Sequence, residues 1–284
     1  MSDTGTTSAA PPPLVTIKPR RSWLPASPLE LWTFRELTLR FAARDITLRY
    51  RQTALGTIWV ILVPLLGAGI LTFVFGGVAD LPSPPGIPYF VFTLAGMVAW
   101  TTFSQVTNRS SSSLVGNAGL VRKVYFPRLL LPISTVLSTL VDAAVSLALL
   151  ILLLLISGIR PGLGVITFPV WFMLVVFLAL GIGLIAGALM VRYRDITYIL
   201  PVAIQFLLFA SPVAYTLASV PADAKWLFQL NPLTALLEGM RWSLIGTERP
   251  SAWLATYATM FAVVLLAAGV MVFSRMERQF ADVI

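Results

Sequence analysis

Six long runs of apolar residues dominate this sequence and restrict what it can fold into. They cover residues 56–78, 89–106, 129–157, 168–191, 196–218 and 252–274. Each run is close to the twenty or so residues that an α-helix needs to cross the hydrocarbon layer of a membrane. A helix also satisfies its own backbone hydrogen bonds, as that layer demands. The runs therefore predict an all-α membrane protein with six transmembrane helices.

Composition agrees with this class and removes several kinds of chemistry. Hydrophobic residues make up 57% of the 284 residues and charged residues 11%, with a mean hydropathy of +0.87. A soluble domain of this composition would have too little polar surface to stay dissolved. The sequence has no Cys and no His, which excludes disulfides, thiol chemistry, histidine bases and the usual zinc sites.

The positions of lysine and arginine predict the topology. Sixteen of the twenty cations fall in the amino-terminal region, in the second and fourth loops and after the last run. The other four, Arg160, Lys225, Arg241 and Arg249, fall on the opposite side. Because cytoplasmic loops carry the excess of positive charge, both termini are predicted to be cytoplasmic.

The regions outside the runs suggest the domain organisation. Residues 1–28 are rich in Ser, Thr, Ala and Pro and predict a disordered cytoplasmic tail without assigned chemistry. Residues 29–55 form an amphipathic region, residues 56–274 the transmembrane domain, and residues 275–284 a second cytoplasmic tail. The first run begins only after about fifty residues and lacks a cleavage-site pattern, so we expect it to remain as a span.

The segment ELTLRFAARDITLRYR, at residues 36–51, predicts an amphipathic helix just before the first run. Arg40, Arg44 and Arg51 lie on one stripe of its helical wheel. The opposite face carries Leu39, Ala42, Ala43, Ile46 and Tyr50. This pattern favours a helix on the cytoplasmic membrane surface, with its cations among anionic head groups or facing a partner protein.

The loop after the fifth run is too apolar for an ordinary loop. Residues 217–250 hold two apolar stretches separated by Asn231 and Pro232, and each half is too short to cross a membrane. We interpret them as two short helices that dip into the outer leaflet as a re-entrant gate, with a surface hairpin as the alternative. Glu238 and Arg241, spaced i, i+3 on the second helix, are expected to pair.

Asp142 is an ionisable residue near the middle of the third run, where a carboxylate costs roughly 2.5 to 3.5 kcal/mol. It should therefore face protein or water. We favour a structural or pore-lining role. A proton relay is the alternative, although the other runs supply only neutral candidates such as Gln105 and Gln205.

No catalytic constellation is found. A GK dipeptide does not occur, so the sequence lacks a Walker A loop, and ATP hydrolysis would belong to a partner. The carboxylates Asp80, Asp223, Glu238 and Glu248 show no spacing typical of glycosyl transfer. We therefore assign no catalytic or metal-binding residue and predict that the chain is not an enzyme.

Five stretches together resemble a known family. They are RDITLRYRQTALGTIWVILVP at 44–64, RKVYFPR at 122–128, RYRDI at 192–196, SPVAY at 211–215 and NPLTALLEGMR at 231–241. The chain resembles the permease subunit of type-2 ABC exporters, and within them the O-antigen, teichoic acid and capsular polysaccharide export permeases. The resemblance covers about residues 30 to 284.

The resemblance implies a homodimer with two copies of a separate cytoplasmic ATP-binding subunit docked beneath it. The amphipathic helix would be an interfacial gate helix, with Arg40, Arg44, Ile46, Arg49, Tyr50 and Arg51. The second loop would be a coupling segment, with Asn117, Arg122, Lys123, Tyr125, Phe126, Pro127 and Arg128. Arg122 and Lys123 would pair with acidic groups of the ATPase, and Phe126 with Pro127 would fill an apolar notch. Alternatively, these cations only reflect the positive-inside rule.

The resemblance also implies the cargo, a polyprenyl-linked polysaccharide moved outward through a channel in the inner membrane. Candidate channel-lining residues are Phe73, Phe75, Tyr89, Phe90, Asp142, Phe206, Phe209 and Tyr215, with an aromatic interface belt as the alternative. ATP and magnesium would be bound by the partner, and this chain would carry no cofactor and bind no nucleic acid. The alternatives are a drug or lipid ABC exporter, a proton-coupled secondary transporter, and a membrane-embedded glycosyltransferase or scaffold.

Overall fold

The computed structural model describes residues 28–51 and 58–283, and the regular elements in these ranges are all helical. The helices are α1 (Pro28–Thr33), α2 (Arg35–Tyr50), α3 (Ile58–Leu71), α4 (Tyr89–Gly116), α5 (Ala118–Lys123), α6 (Leu130–Ile156), α7 (Phe168–Arg192), α8 (Ile196–Phe209), α9 (Ala222–Leu230), α10 (Pro232–Ile245) and α11 (Ala252–Val283). The all-α prediction is confirmed. Apart from Pro28, the predicted tail at 1–28 lies outside the described residues, as do residues 52–57.

Within the described residues, five helical segments are long and apolar enough to cross a membrane. They are Ile58–Val78, Tyr89–Gly116, Leu130–Ile156, Leu163–Arg192 and Ala252–Glu277. The first combines α3 with a π-helical segment, Thr72–Val78, and the fourth combines a 3₁₀ turn, Leu163–Thr167, with α7. α11 continues to Val283, so most of the predicted second tail belongs to that helix.

α4 continues well past the apolar run that predicted it. The run ends at residue 106, but the helix continues through the polar sequence TNRSSSS to Gly116. Its serines donate hydrogen bonds to carbonyls one turn back, as Ser110 Oγ does to Val106 O at 2.6 Å and Ser113 Oγ to Ser110 O at 2.7 Å. Polar side chains satisfied in this way do not end a helix.

α8 is shorter than the run at 196–218 predicted. It has 14 residues, which span about 21 Å of the roughly 30 Å of a hydrocarbon core. The chain leaves the helix at Ala210 and Ser211, immediately before Pro212. Because proline lacks an N–H and disfavours helical backbone in the residue before it, the helix ends there.

α4 lies at the centre of the bundle. In an apolar stretch of 18 residues of this helix, 78% is buried within the protein, compared with 11% of the corresponding stretch of Ile58–Val78. Small residues bring its neighbours close: a Cβ on Gly183 of α7 would lie 1.8 Å from Ser110 Oγ, and one on Gly187 would lie 3.0 Å from Ser111 O. Gly183 and Gly187 therefore allow α7 to pack directly on α4, as small residues do between membrane helices.

A second, smaller core lies at the end of the bundle where α4, α7 and α11 finish. It includes Leu114, Val121, Phe126, Leu130, Leu184, Phe273 and Phe280, with Leu31 of α1 and Leu37 and Phe41 of α2 packed against it. This core therefore joins α1 and α2 to α5 and to the ends of the long helices. It brings the predicted gate and coupling segments to the same end of the molecule.

We expect Gly183→Ala to destabilise the protein, because its methyl group would overlap Ser110 Oγ, and overpacking costs about 1–3 kcal/mol. Gly69→Ala is the control, because no atom of the described residues lies within 4 Å of its added Cβ. The measurement is the thermal unfolding midpoint in detergent. Removing the hydroxyl with Ser110→Ala should restore part of the lost stability. Equal midpoints for both glycine variants would contradict this packing.

Candidate functional site

α2 packs on α6 through a stripe that the helical wheel did not single out. Thr38, Ala42, Asp45 and Arg49 recur at intervals of four, three and four residues, which places them on one face. Thr38 and Ala42 are buried, and Ser138 Oγ of α6 donates to Asp45 Oδ2 at 2.6 Å. The contact face is of mixed polarity, which explains why apolar periodicity did not reveal it.

The predicted cationic face of α2 lies nearly opposite this stripe, and the predicted apolar face shares Ala42 with it. Arg40, Arg44 and Arg51 are exposed, as predicted for a cationic face. On the predicted apolar face, Leu39 is 58% exposed and Ile46 and Tyr50 are half-buried, whereas Ala42 is buried against protein. α2 therefore presents an exposed cationic face to one side and rests on the helix bundle with another.

Asp142 of α6 is the centre of a buried ionic cluster. Arg49 Nη1 of α2 donates to Asp142 Oδ2 at 2.5 Å, and Arg109 Nη1 of α4 donates to the same oxygen at 2.9 Å. Tyr50 donates its hydroxyl to Asp142 Oδ1 at 2.7 Å. Only 8% of the carboxylate side chain is exposed. A charge withdrawn from water in this way needs ionic partners and hydrogen bonds, and Asp142 has both.

Sequence reasoning missed Arg109 as a partner of Asp142. It placed Arg109 in a cytoplasmic loop and concluded that the other runs offered only neutral groups, which is wrong because α4 extends to Gly116. No local spacing on α4 signals this contact, because it joins residues 33 positions apart on two different helices. The observed geometry agrees with the structural role preferred for Asp142.

A cavity of about 260 Å³ opens beside this cluster. Its polar wall is formed by Arg49, Tyr50, Gln105, Arg109, Thr139 and Asp142. Its apolar wall includes Trp59, Val60, Val63 and Pro64 of α3. One side of the space therefore suits a charged or hydroxylated group, and the other suits a hydrocarbon group.

The predicted coupling segment contacts α2 directly. Arg44 Nη2 donates to Asn117 Oδ1 at 2.5 Å, and the Phe41 ring meets the Phe126 ring edge-on with centroids 5.6 Å apart. Phe126 is 5% exposed and Pro127 is buried. The expectation that these two fill a notch in a partner is therefore wrong for this structure, because Phe126 belongs to the chain's own second core and Pro127 is buried beside it.

The cations of the coupling segment have different surroundings. The backbone N–H of Arg128 donates to Glu277 Oε1 at 2.9 Å, and its guanidinium donates to the backbone oxygen of Glu277, which ties this residue to α11. Arg122 and Lys123 are exposed, and so is Tyr125, at 62%. A short surface with two cations and an aromatic ring therefore remains accessible.

On the predicted outer side, side chains satisfy the irregular backbone at 210–215. Arg241 of α10 donates to the carbonyl oxygens of Pro212, Val213 (2.7 Å) and Tyr215 (3.3 Å). The Tyr89 hydroxyl donates to Ala214 O at 2.6 Å. Buried backbone groups need such partners, above all where lipid surrounds the protein.

The other residues predicted for the re-entrant gate have local roles in the structure. Asn231 Nδ2 donates to Ala210 O at 3.2 Å and to Ser211 Oγ at 2.8 Å. Its Oδ1 accepts from the backbone N–H of Leu233 at 3.0 Å and so caps α10, with Pro232 at the first helical position. Asn231 therefore fixes the start of α10 against the loop at 210–211.

The predicted pair of Glu238 and Arg241 is wrong. Within the described residues no ion pair joins them, because the guanidinium is turned toward the loop carbonyls and stacks over the Phe92 ring, 4.2 Å from its centroid. Arg241 is 2% exposed, and burial lowers its pKa to about 10. Burial raises the pKa of Glu238, and the charge of Arg241 opposes that shift.

The predicted channel aromatics do not lie together in one place. Phe75 and Tyr215 are neighbours, with centroids 5.6 Å apart, and the Tyr89 hydroxyl is part of the loop network. Phe90 is half-buried and packs against the larger hydrophobic core of the bundle, which includes Phe92, Leu94 and Leu178. Phe73, Phe206 and Phe209 are exposed, at 70%, 72% and 57%. Their role as channel lining stays a prediction.

These features define a class, a multi-pass helical membrane protein with an ionic cluster inside its helix bundle. The profile of the ABC-2 type transporter family matches residues 36–245, which is most of the chain. The chain belongs to the ABC-2 type transporter family.

Several characterised proteins are similar over nearly their full length. The O-antigen export system permease protein RfbA of Myxococcus xanthus is 28% identical over 255 residues, covering 89% of this chain and 97% of the relative. The protein of the same name in Klebsiella pneumoniae is 25% identical, covering 88% and 95%. The polysialic acid transport protein KpsM of Escherichia coli is 29% identical, covering 82% and 91%.

We expect Arg241→Lys to loosen the loop at 210–215, because an ammonium group cannot reproduce the fork that reaches three carbonyls, and each buried carbonyl left unpaired costs about 1–3 kcal/mol. The probe is Ala214→Cys, at a position 2% exposed in a chain without cysteine, labelled with a maleimide. Labelling should accelerate in Arg241→Lys and stay slow in Arg249→Lys, a change at an exposed arginine. Equal rates would show that Arg241 does not hold the loop.

Proposed function

We propose that this chain is the transmembrane permease subunit of an ATP-driven ABC exporter that moves a lipid-linked polysaccharide across the inner membrane. The main support is similarity over nearly the full length to permeases named for O-antigen export and to proteins named for polysialic acid transport. Membership of the ABC-2 family gives the general activity, transport. The sequence has no Walker A loop, which supports placing ATP and magnesium on a separate subunit.

In the proposed topology, α8 and the irregular segment at 210–216 together make the fifth of six crossings. A short helix suffices there because side chains from α4 and α10 satisfy the segment's carbonyls. α9 and α10 form the re-entrant pair, and α10 supports this proposal with a nearly continuous run of buried residues from Leu233 to Ile245. Both termini are cytoplasmic by the distribution of cations.

The exposed faces of the long helices support a homodimer in a bilayer. Within one chain, only 11% of the 18-residue apolar stretch of Ile58–Val78 is buried, and only 22% of that of Ala252–Glu277. Lipid and a second copy would cover these apolar faces between them, since such patches do not remain in water. We propose that two copies enclose the path of the cargo.

The ATP-binding subunit would dock beneath α5. Arg122, Lys123 and Tyr125 are accessible there, and opposite charge across an interface favours association. The hydrogen bond between Arg44 and Asn117 would pass a movement of this segment to α2. Through Arg49, α2 is in turn bonded to Asp142 in the bundle. This chain of contacts would couple ATP-driven closure below to α2, the gate helix.

The alternatives differ in what drives transport and in what is carried. A proton-coupled transporter would use Asp142, but the two arginines bonded to that carboxylate favour a fixed structural ion. A drug or lipid ABC exporter would share the fold and the partner. Export of labelled glycan by the permease and its ATPase in vesicles separates these readings: the proposal requires ATP dependence and indifference to a proton gradient. Transport that follows the proton gradient would contradict it.

We expect the double change Arg122→Glu and Lys123→Glu to reduce capture of the ATP-binding subunit at least tenfold, because two attractive contacts become repulsive. The matched control is Arg160→Glu with Arg249→Glu, two exposed cations on the predicted outer side. Membrane insertion should be unchanged in both, since the many other cytoplasmic cations still determine the topology. The measurement is the amount of ATPase recovered with tagged permease. Undiminished recovery with the first pair would contradict docking at α5.

A further inference from the structure

Arg109 has unused hydrogen-bond donors that face the cavity beside Asp142. Both of its hydrogen bonds use Nη1, to Asp142 Oδ2 at 2.9 Å and to Thr139 Oγ1 at 3.1 Å. A guanidinium carries five N–H donors, so Nη2 and Nε keep donors that no atom of the described residues accepts. The side chain is 25% exposed and lines the cavity. One edge of this cation is therefore available to an anion.

Gln105 offers the complementary group one helical turn away. It lines the same cavity, and its Oε1 is buried without a hydrogen-bond partner in the described part of the chain. Buried acceptors normally have a donor. Because Gln105 and Arg109 are spaced i, i+4, the unpaired acceptor and the unused donors lie on the same face of α4. A ligand that fills the site needs acidic oxygens beside Arg109 and a hydrogen-bond donor, such as a hydroxyl group, beside Gln105.

The third feature of the cavity is its apolar wall. Trp59, Val60 and Val63, near the start of α3, face the same space. Arg109 lies seven residues before the end of α4 at Gly116, about 10 Å along the helix axis. If α4 ends at the membrane surface in the proposed topology, Arg109 lies near the boundary between head groups and hydrocarbon, since each head-group layer is about 5–8 Å thick. A free inorganic anion would leave this wall uncovered.

We propose that the cavity binds the phosphate group of a lipid, with Arg109 and Arg49 donating to phosphate oxygens and Gln105 accepting from a neighbouring hydroxyl. The hydrocarbon chain would lie along Trp59 and Val63. When no phosphate is bound, Asp142 is the internal carboxylate that both arginines share, and Arg49 is also held by Asp45, whose Oδ2 lies 2.8 Å from Nη2. The inference rests on the proposed function, and it locates the headgroup of the cargo at the junction of α2, α4 and α6.

Substitution of Asp142 tests the inference, because it is expected to strengthen phosphate binding and not to weaken it. Both arginines donate to the same Oδ2, so a bound phosphate would compete with this carboxylate for them. Asp142→Asn removes the competing charge and should tighten phosphate binding. A purely structural ion pair predicts no binding in either protein. A gain caused by misfolding would appear for farnesol as well, whereas a gain through the arginines requires the phosphate.

The experiment measures binding of farnesyl phosphate to the purified permease in a neutral detergent by thermophoresis. Arg109→Gln should weaken binding about tenfold or more, the loss expected for a charge-assisted contact. Asp142→Asn should strengthen it several-fold. Arg194→Gln, at an exposed arginine on the predicted cytoplasmic side, is the control and should leave binding unchanged. Farnesol, which lacks the phosphate, should not compete.

Comparison of probes identifies the source of the phosphate. Tighter binding of farnesyl phosphate than of lysophosphatidic acid supports the transported lipid, whereas the reverse order supports the site and assigns it to a bilayer phospholipid. Binding that Arg109→Gln leaves intact, or farnesol binding as tightly as its phosphate, overturns the inference. A permease that exports glycan but fails to bind either phosphate overturns this inference alone and leaves the proposed function standing.

Discussion

The carboxylate of Asp142 is the constraint on which the arrangement of α2 depends. It lies inside α6, accepts from Arg49 and Tyr50 of α2 and from Arg109 of α4, and so joins three helices at one point. Removing one partner from such a cluster leaves an uncompensated buried charge, which costs far more than losing a surface pair. α2 is thereby held against the bundle, where Arg44 reaches Asn117 and the second core forms.

Arg241 likewise joins segments distant in sequence, at the other end of the molecule, but its hydrogen bonds go to backbone carbonyls and not to a carboxylate. Its guanidinium satisfies carbonyls of a segment that is neither helix nor strand, and the Phe92 ring covers its face. In both networks a long cationic side chain joins elements distant in sequence. This is the form that polar groups take inside a membrane protein, where each unsatisfied group is expensive and water does not compete for it.

The apolar runs predicted most of the spanning helices, because a helix surrounded by hydrocarbon must consist mainly of apolar residues and can be recognised from local composition. The lengths of α4 and α8 were not predicted correctly. The serines of α4 donate hydrogen bonds to carbonyls of their own helix, which therefore continues, and α8 ends early before Pro212. Of the candidate site residues, Asp142 was recognised from the cost of a carboxylate inside an apolar run, α2 from its amphipathic pattern, and the second loop from resemblance. The contacts that Asp142, Phe126 and Arg241 each make could not be predicted. Each joins residues far apart in sequence, and the periodicity of one helix does not indicate which other element it contacts.

The most direct test of the account is whether Asp142 holds α2 on the bundle. Cysteine introduced at Ala42, 5% exposed on the packed stripe, should react slowly with a maleimide, whereas cysteine at Leu39, 58% exposed on the same helix, should react fast. The account predicts that Asp142→Leu, which removes both acceptor oxygens, raises the rate at position 42 toward that at position 39, which should not change. An unaltered ratio of the two rates would show that α2 stays packed without the carboxylate and would contradict the central claim.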